Sequence, residues 1–327
     1  MNKSKLLNGK ELKDKIAFPS AMNLAAIDIG SNGARLLIKH FDVNEPESHR
    51  VRRVMYLRVP LRLGKDVFTL NKISKERERM MLHMMKGFKQ FMLLNNVIAY
   101  RSCATSAMRD AENGRKVLKR IKEETGINLE IIPGQEEAQL LANNLFPIMS
   151  EGEYDKDVLP QLGEKVTYAY VDVGGGSTEV SLIHNRQLVE SHSYNCGTLR
   201  MLSGKVKKDT INVLKTDLAK YSERFDNIRI IGSGGNINKL FKLAHIKGSK
   251  RELPLETIQS LYLQMKPLSI EERMEQFCLK EDRADVIIPA TEIFLMVAQG
   301  LKCSSILVPN ISLADSIVDG LYEQITG

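Results

Sequence analysis

The sequence predicts an α/β protein made of two similarly built halves. Strand-length apolar runs alternate with amphipathic segments of helical length. The plan strand, Asp-x-Gly, small polar turn, strand occurs twice, at Asp28 and at Asp172. At 327 residues and 43% hydrophobic content, the chain suffices for two globular domains of ordinary size.

The elements follow in order. The opening "MNKSKLLNGKELKDK" is basic and polar, with no apolar core or cleavage site behind it, so residues 1–21 are expected as a flexible or loosely helical lead-in rather than a secretory signal. "MNLAAIDIG" (22–30) and "ARLLIKHF" (34–41) form a strand pair around the turn Gly-Ser-Asn-Gly, and "RRVMYLRVPL" (52–61) is a third strand. A helix over 74–96 starts at an N-cap serine. A strand over 96–105, a helix in "SAMRDAENGRKVLKRIKEETG", a strand in "NLEIIPG" and an amphipathic helix over 135–149 follow. After a polar loop, "TYAYVDVGGGSTEVSLIHNRQLVESHSY" repeats the opening plan. "IRIIGSGGNINKLF" (228–241) passes from strand through a glycine turn into helix. The segment "SIEERMEQFCLKEDRADVIIPATEIFLMVAQGL" is largely helical, "SSILVPN" is a strand, and "SLADSIVDGLYEQI" is a closing helix capped by Ser312.

Composition narrows the function. No apolar run reaches the roughly 18–20 residues that span a bilayer, and a soluble cytoplasmic protein without membrane attachment is expected. Cys103, Cys196, Cys278 and Cys303 are scattered without a CxxC pair, which fits reduced thiols better than disulfides or zinc. The net charge is +7, and Arg50, Arg52, Arg53, Arg58, Arg62 and Lys65 crowd one stretch. Such a stretch suits a polyanion or a solvated strand pair. No RNP pattern, zinc finger or basic zipper accompanies it, so nucleic acid is not an expected partner.

The two Asp-x-Gly turns carry the chemistry. Backbone amides bind an anion only where the chain approaches closely, which glycine permits. In "DVGGGST" Gly174, Gly175 and Gly176 are expected to aim amides at phosphate oxygens, with Ser177 and Thr178 adding hydroxyls; Gly30, Ser31 and Asn32 do the same in "DIGSNG". Asp28 and Asp172, with Glu179, are the candidate ligands of a hydrated Mg²⁺ (or Mn²⁺). The GxxxxGK[ST] and GxGxxG patterns are both absent.

In this order, "AAIDIGSNGARLLI", "ATSAMRDAENG", "IIPGQEEAQLL", "VDVGGGSTEVSLI", "CGTLRM", "IGSGGNINKL" and "DRADVIIPA" resemble the motifs of the exopolyphosphatase and guanosine pentaphosphate phosphatase (Ppx/GppA) family, from about residue 22 to 320. The resemblance implies two ribonuclease H-like domains of the actin, Hsp70 and sugar kinase superfamily, flanking a cleft. Their expected limits are 22–135 with 311–327, and 136–310. It implies hydrolysis of a terminal phosphoanhydride, with Glu137 as the base that orients water and Glu136 as the adjacent alternative. Read alone, the glutamate pair better suits the first turn of a helix, where the dipole favours acids. The resemblance also implies phosphate contacts from Arg35, Arg62, Arg109 and Arg283, and a ligand-facing turn at Gly234 and Gly235.

Some positions depart from the family pattern. Gly33 replaces a usual serine, Pro133-Gly134 a usual Ser-Gly, and Gln139 a usual arginine. "SLADSIVDG" places acids where a basic residue is usual, a change expected to weaken the grip on a long polyanion. The leading expectation is an exopolyphosphatase acting on inorganic polyphosphate. The alternatives are a guanosine pentaphosphate 5′-phosphohydrolase and a catalytically weak protein binding guanosine penta- or tetraphosphate. A homodimer is among the expected assemblies.

Overall fold

The computed structural model describes residues 6–9, 19–46, 49–143, 166–246, 251–309 and 311–326. Most of the expected lead-in, the end of the helix expected to reach residue 149, and the polar loop before residue 166 lie outside the described residues. Residue contacts divide the chain into two units, Met1–Glu136 with Leu313–Gly327, and Glu137–Ser312.

The first unit is built on β1 (Leu7–Asn8), β2 (Ala21–Ile29), β3 (Ala34–Asp42), β4 (Val51–Val59), β5 (Val97–Ala104) and β6 (Glu130–Ile131). β2, β3 and β4 form an antiparallel meander, β5 lies parallel beside β2, and β1 and β6 both run parallel to β5. Leu24–Ile27 on β2 and Leu36–Ile38 on β3 are fully buried, as expected of central strands covered on both faces.

Five helices complete the chain up to residue 143: α1 (Leu63–Leu70), α2 (Lys75–Leu94), α3 (Ser106–Asp110), α4 (Gly114–Thr125) and α5 (Gly134–Asn143). Ser74 caps α2 by accepting the Arg77 amide at 3.2 Å, and Met81, Leu82, Met85, Phe88 and Met92 form the buried stripe.

Four sequence expectations need correction here. Leu7–Asn8 join the sheet as β1 within the expected lead-in. α1 was not expected, because its eight residues are short for a periodic signal. The strand expected in "NLEIIPG" shrinks to two residues. The single helix expected after residue 105 is two. Asn113 interrupts it, because its side-chain amide bonds both the N–H and the carbonyl of Ile73, each at 2.9 Å.

The second unit repeats the plan with β7 (Thr167–Val173), β8 (Thr178–His184) and β9 (Gln187–Tyr194) as the meander. Next come α6 (Thr198–Leu202), α7 (Lys208–Arg224), β10 (Ile228–Ser233), α8 (Gly235–Leu243), β11 (Glu252–Pro254), α9 (Leu255–Met265), α10 (Ile270–Gln276), α11 (Glu281–Ala284), α12 (Ile287–Gly300) and β12 (Ser305–Leu307). The long segment expected as largely helical is thus three helices. β10 lies parallel to β7, β12 parallel to β10, and β11 antiparallel at the edge. Both sheets therefore consist of an antiparallel meander extended on the side of its first strand by parallel strands, the second sheet adding the antiparallel β11 at its edge, which is the ribonuclease H-like topology. The second core gathers Val171, Val180, Leu214, Ile230, Phe294 and Val297. Burying a side chain such as Phe294 contributes about 1.5–3 kcal/mol.

One element, α13 (Leu313–Thr326), follows the whole second unit and returns to the first, against β2, β3 and β5. Phe41 and Tyr322 stack with ring centroids 4.2 Å apart. Lys39, 7% exposed, holds Asp319 at 2.9 Å and Asp315 at 3.5 Å, and Arg53 reaches Asp315 at 3.2 Å. The acids of "SLADSIVDG" thus answer basic residues of the sheet.

Candidate active site

In each unit an Asp-x-Gly turn is held from behind by a later segment. Gly174 closes the second turn by donating its N–H to the Ser177 carbonyl at 3.0 Å. The carbonyl of Gly174 then accepts Thr198 N–H, that of Gly175 accepts Leu199 and Arg200 N–H, and that of Gly176 accepts Arg200 Nε at 2.6 Å. A trans peptide is planar, with C=O and N–H on opposite sides. Three carbonyls drawn toward the start of α6 therefore turn the amides of Gly175, Gly176 and Ser177 the other way. Gly197 makes this approach feasible, because a Cβ there would fall on the backbone nitrogen of Ser177.

The first turn is held in the same manner by the "RLG" segment. Gly30 donates to the Gly33 carbonyl at 3.0 Å, Gly64 N–H reaches the Ser31 carbonyl at 2.8 Å, and Arg62 N–H reaches the Asn32 carbonyl at 3.1 Å. The amides of Asn32 and Gly33 consequently face away from that segment. Arg62 stands at φ 53°, in the left-handed region, just before α1.

Strand register assembles one row of side chains beside each turn. In the second unit Ser233, Asp172, Glu179 and Ser193 lie directly opposite one another across β10, β7, β8 and β9. Glu179 is 1% exposed and accepts a hydrogen bond from Ser193 Oγ at 2.7 Å. Gly234, at φ 98°, closes in on the aspartate: a Cβ there would lie 3.0 Å from Asp172 Oδ1. The guanidinium of Arg283 packs against Gly235 and donates to Asn236 Oδ1 at 2.6 Å.

In the first unit the corresponding row reads Cys103, Asp28, Arg35 and Arg58 across β5, β2, β3 and β4. Arg35 is ion-paired with Asp28, which is 1% exposed. Burial pushes the Cys103 thiol well above its ordinary pKa, so it adds no charge to the row at neutral pH.

The glutamate pair at the start of α5 is split. Glu136 accepts from Arg101 Nη2 at 2.8 Å, and the same guanidinium holds Glu130 at 2.9 Å through Nε. Burial disfavours the Arg101 charge, but the carboxylate partners Glu130 and Glu136 favour it, and the pKa lies above the ordinary arginine value. Glu137, the first residue of the second unit, is 6% exposed. Its neighbour Ala138 accepts a hydrogen bond from Ser181 Oγ at 3.3 Å, two residues beyond Glu179 on β8. Glu137 thus enters the second unit beside the strand that carries Glu179.

Several of the expected phosphate-contact groups carry structural partners. The amides of Gly30 and Gly174 close their turns. Thr178, fully buried, donates its hydroxyl to the Cys196 carbonyl. The hydroxyls of Ser31 and Ser106 bond at 2.8 Å. Arg109 Nη1 donates to the Ile132 carbonyl at 2.7 Å. Asp28 belongs to the first unit and is ion-paired with Arg35, while Asp172 and Glu179 belong to the second. Among the described residues no cluster of three or more His, Cys, Asp or Glu side chains could hold a metal. None of their helices is long and apolar enough to cross a membrane.

Sequence reasoning missed Gly197, Arg200 and Arg58 as parts of the two turns. The quoted "CGTLRM" contained the signal for the first two, a glycine followed by a short helix.

Solved structures match the chain over nearly its full length. An exopolyphosphatase from Cytophaga hutchinsonii superposes with a TM-score of 0.78 at 21% identity, covering 93% of this chain and 99% of that one. The Aquifex aeolicus Ppx/GppA family member superposes at 0.69 with 22% identity, covering 94% and 100%. At these identities the likeness establishes the fold. Exopolyphosphatase 1 of Mycobacterium tuberculosis is 29% identical over 162 residues, 49% of this chain. A bifunctional 3-dehydroquinate synthase/phosphatase of Fusobacterium nucleatum is 29% identical over 183 residues, 54% of this chain. The matches span 42% and 25% of those relatives, less than half their length. The model of the Ppx/GppA phosphatase family matches residues 43–324, and the chain belongs to that family.

Proposed function

We propose that this protein removes the terminal orthophosphate from inorganic polyphosphate. The observation that carries the reading is the second unit's glycine turn, with three amides turned out, beside the directly opposed Asp172 and Glu179. Family membership and the exopolyphosphatase relatives support the same substrate class.

In this reading the amides of Gly175, Gly176 and Ser177 receive the oxygens of the terminal phosphate. Arg283, whose planar fork can bond two oxygens, stabilises the charge that grows there. Glu137 holds the attacking water and takes its proton. The new P–O bond forms in line as the bridging P–O bond breaks, and the shortened polyphosphate leaves.

The donor set of the second row suits a divalent cation. Asp172 and Glu179 stand directly opposite each other on neighbouring strands, a pair of carboxylate oxygen donors. Mg²⁺ typically takes one or two carboxylates and keeps its remaining waters. Asp172 and Glu179 would hold it, and it would supply neutralisation of phosphate charge. Asp28, already paired with Arg35, is the weaker ligand.

Phosphate release from polyphosphate, with guanosine pentaphosphate in parallel, tests the proposal. Glu137→Gln is expected to lower kcat about 10²–10⁴-fold, while polyphosphate binding persists. Release from guanosine pentaphosphate alone, or undiminished turnover by the variant, would overturn the assignment.

A further inference from the structure

We infer that Arg200 is a positioning residue for phosphoryl transfer: from behind the second glycine turn it aims and strengthens the Ser177 N–H as a donor to the terminal phosphate. The inference rests on the polyphosphate reading above and adds a residue to it.

Three observations carry it. First, Arg200, on α6, holds the turn twice. Its Nε donates to the Gly176 carbonyl at 2.6 Å, and its own N–H donates to the Gly175 carbonyl at 3.1 Å. Side chain and main chain of one residue thus fix two successive peptides of the turn.

Second, the three turned-out amides are not equally supported. The carbonyls that share a peptide with the Gly175 and Gly176 amides accept neutral main-chain N–H groups. The carbonyl that shares a peptide with the Ser177 amide accepts a guanidinium. A guanidinium keeps its proton in proteins, so this is a charge-assisted bond. Carbonyl and N–H belong to one conjugated, planar unit, so fixing the carbonyl aims the amide to the opposite side. The same bond draws electron density from the N–H and makes it a stronger donor.

Third, the contact is buried and tight. Arg200 is 8% exposed, so solvent screens the bond weakly. Gly197 lies against the same peptide: a Cβ there would fall 2.4 Å from the Ser177 nitrogen and 2.5 Å from the Gly176 carbonyl carbon. Packing on Gly197 and the grip of Arg200 together leave the peptide one orientation.

The test measures phosphate release from tripolyphosphate and long polyphosphate with Mg²⁺, and binding of tripolyphosphate by calorimetry. Losing a direct donor to developing charge costs about 10²–10³-fold in kcat, and a donor misaimed through its own carbonyl costs less. Arg200→Ala is expected to lower kcat about 10–100-fold, with the tripolyphosphate Kd changed less than threefold. Added guanidinium is expected to recover part of that kcat saturably, by refilling the space behind Gly176. Because guanidinium weakens folded proteins, a merely structural defect would not be relieved by it. Arg200→Gln sets a neutral nitrogen where Nε stands, so it keeps the aim and removes the charge. It is expected to lower kcat about 3–10-fold, and it carries the test if Arg200→Ala does not fold.

Wild-type kcat in either folded variant would overturn the inference and leave the hydrolase reading intact. So would a fall in kcat matched by an equal rise in Kd, or a fall in Arg200→Ala that guanidinium leaves unrelieved. A wild type that releases phosphate from neither substrate would end the hydrolase reading itself, and the inference with it.

Discussion

The two halves put opposite charges at the same address. Asp28 and Asp172 occupy equivalent places on the first strand of each meander, and each has a directly opposed partner on the second strand. In one half that partner is Arg35; in the other it is Glu179. The next position outward is Arg58 in one and Ser193 in the other. The first row sums to one positive charge and the second to two negative ones. Repetition of the fold fixes where side chains stand, and the residue on the second strand sets the formal charge of the row.

The most severe way to break this contrast is to copy the first row into the second. Glu179→Arg sets a guanidinium directly opposite Asp172, as Arg35 stands opposite Asp28. Cation-dependent phosphate release is expected to fall about 10³-fold, a loss comparable to removing a principal charge stabiliser from an active site. Turnover within tenfold of the wild type, with unchanged dependence on Mg²⁺, would show that the acid pair does not hold the metal.

The contrast sharpens when the other basic pair of the first unit loses its acids. Asp315→Ala leaves Lys39 buried with one carboxylate fewer and is expected to cost about 3 kcal/mol of stability, since breaking a buried ion pair strands a charge. Denaturant unfolding measures it, and a change below about 1 kcal/mol would remove α13 as the neutralising element.

The mildest change concerns the inner end of the row, where Cys103 corresponds to Ser233. Cys103→Ser makes the two ends alike without changing charge, because the native thiol stays protonated at neutral pH. Turnover is expected within twofold of the wild type, with a stability loss of about 1 kcal/mol from burying a hydroxyl. A larger fall in turnover would mean that the inner end of the row takes part in ligand binding.

The sequence made the hairpins, the aspartates and the turns legible, because alternation stopped by glycine has few other readings. Side-chain neighbours across strands were not. Strict alternation puts Arg53 and Arg58 on opposite faces, being an odd number apart. A bulge in which Val54 is the extra residue puts both on the face of Arg35 and Lys39. No local pattern foretells that bulge.

The same limit affected the glutamate pair. Residues 136 and 137 look interchangeable in the sequence, and the distinction comes from Arg101, which lies far upstream on β5. The acids at Asp315 and Asp319 were visible as a departure from the family. Their partners Lys39 and Arg53 belong to the other end of the chain, so the ion pairs were not legible locally.

The position of α13 has a consequence for biosynthesis. The apolar faces of β2, β3 and β5 emerge early from the ribosome, yet the helix that covers them is encoded after the entire inserted unit. At about 5–20 residues per second, that interval is on the order of ten seconds or more. During translation the sheet of the first unit therefore stays uncovered on that face until α13 has been made.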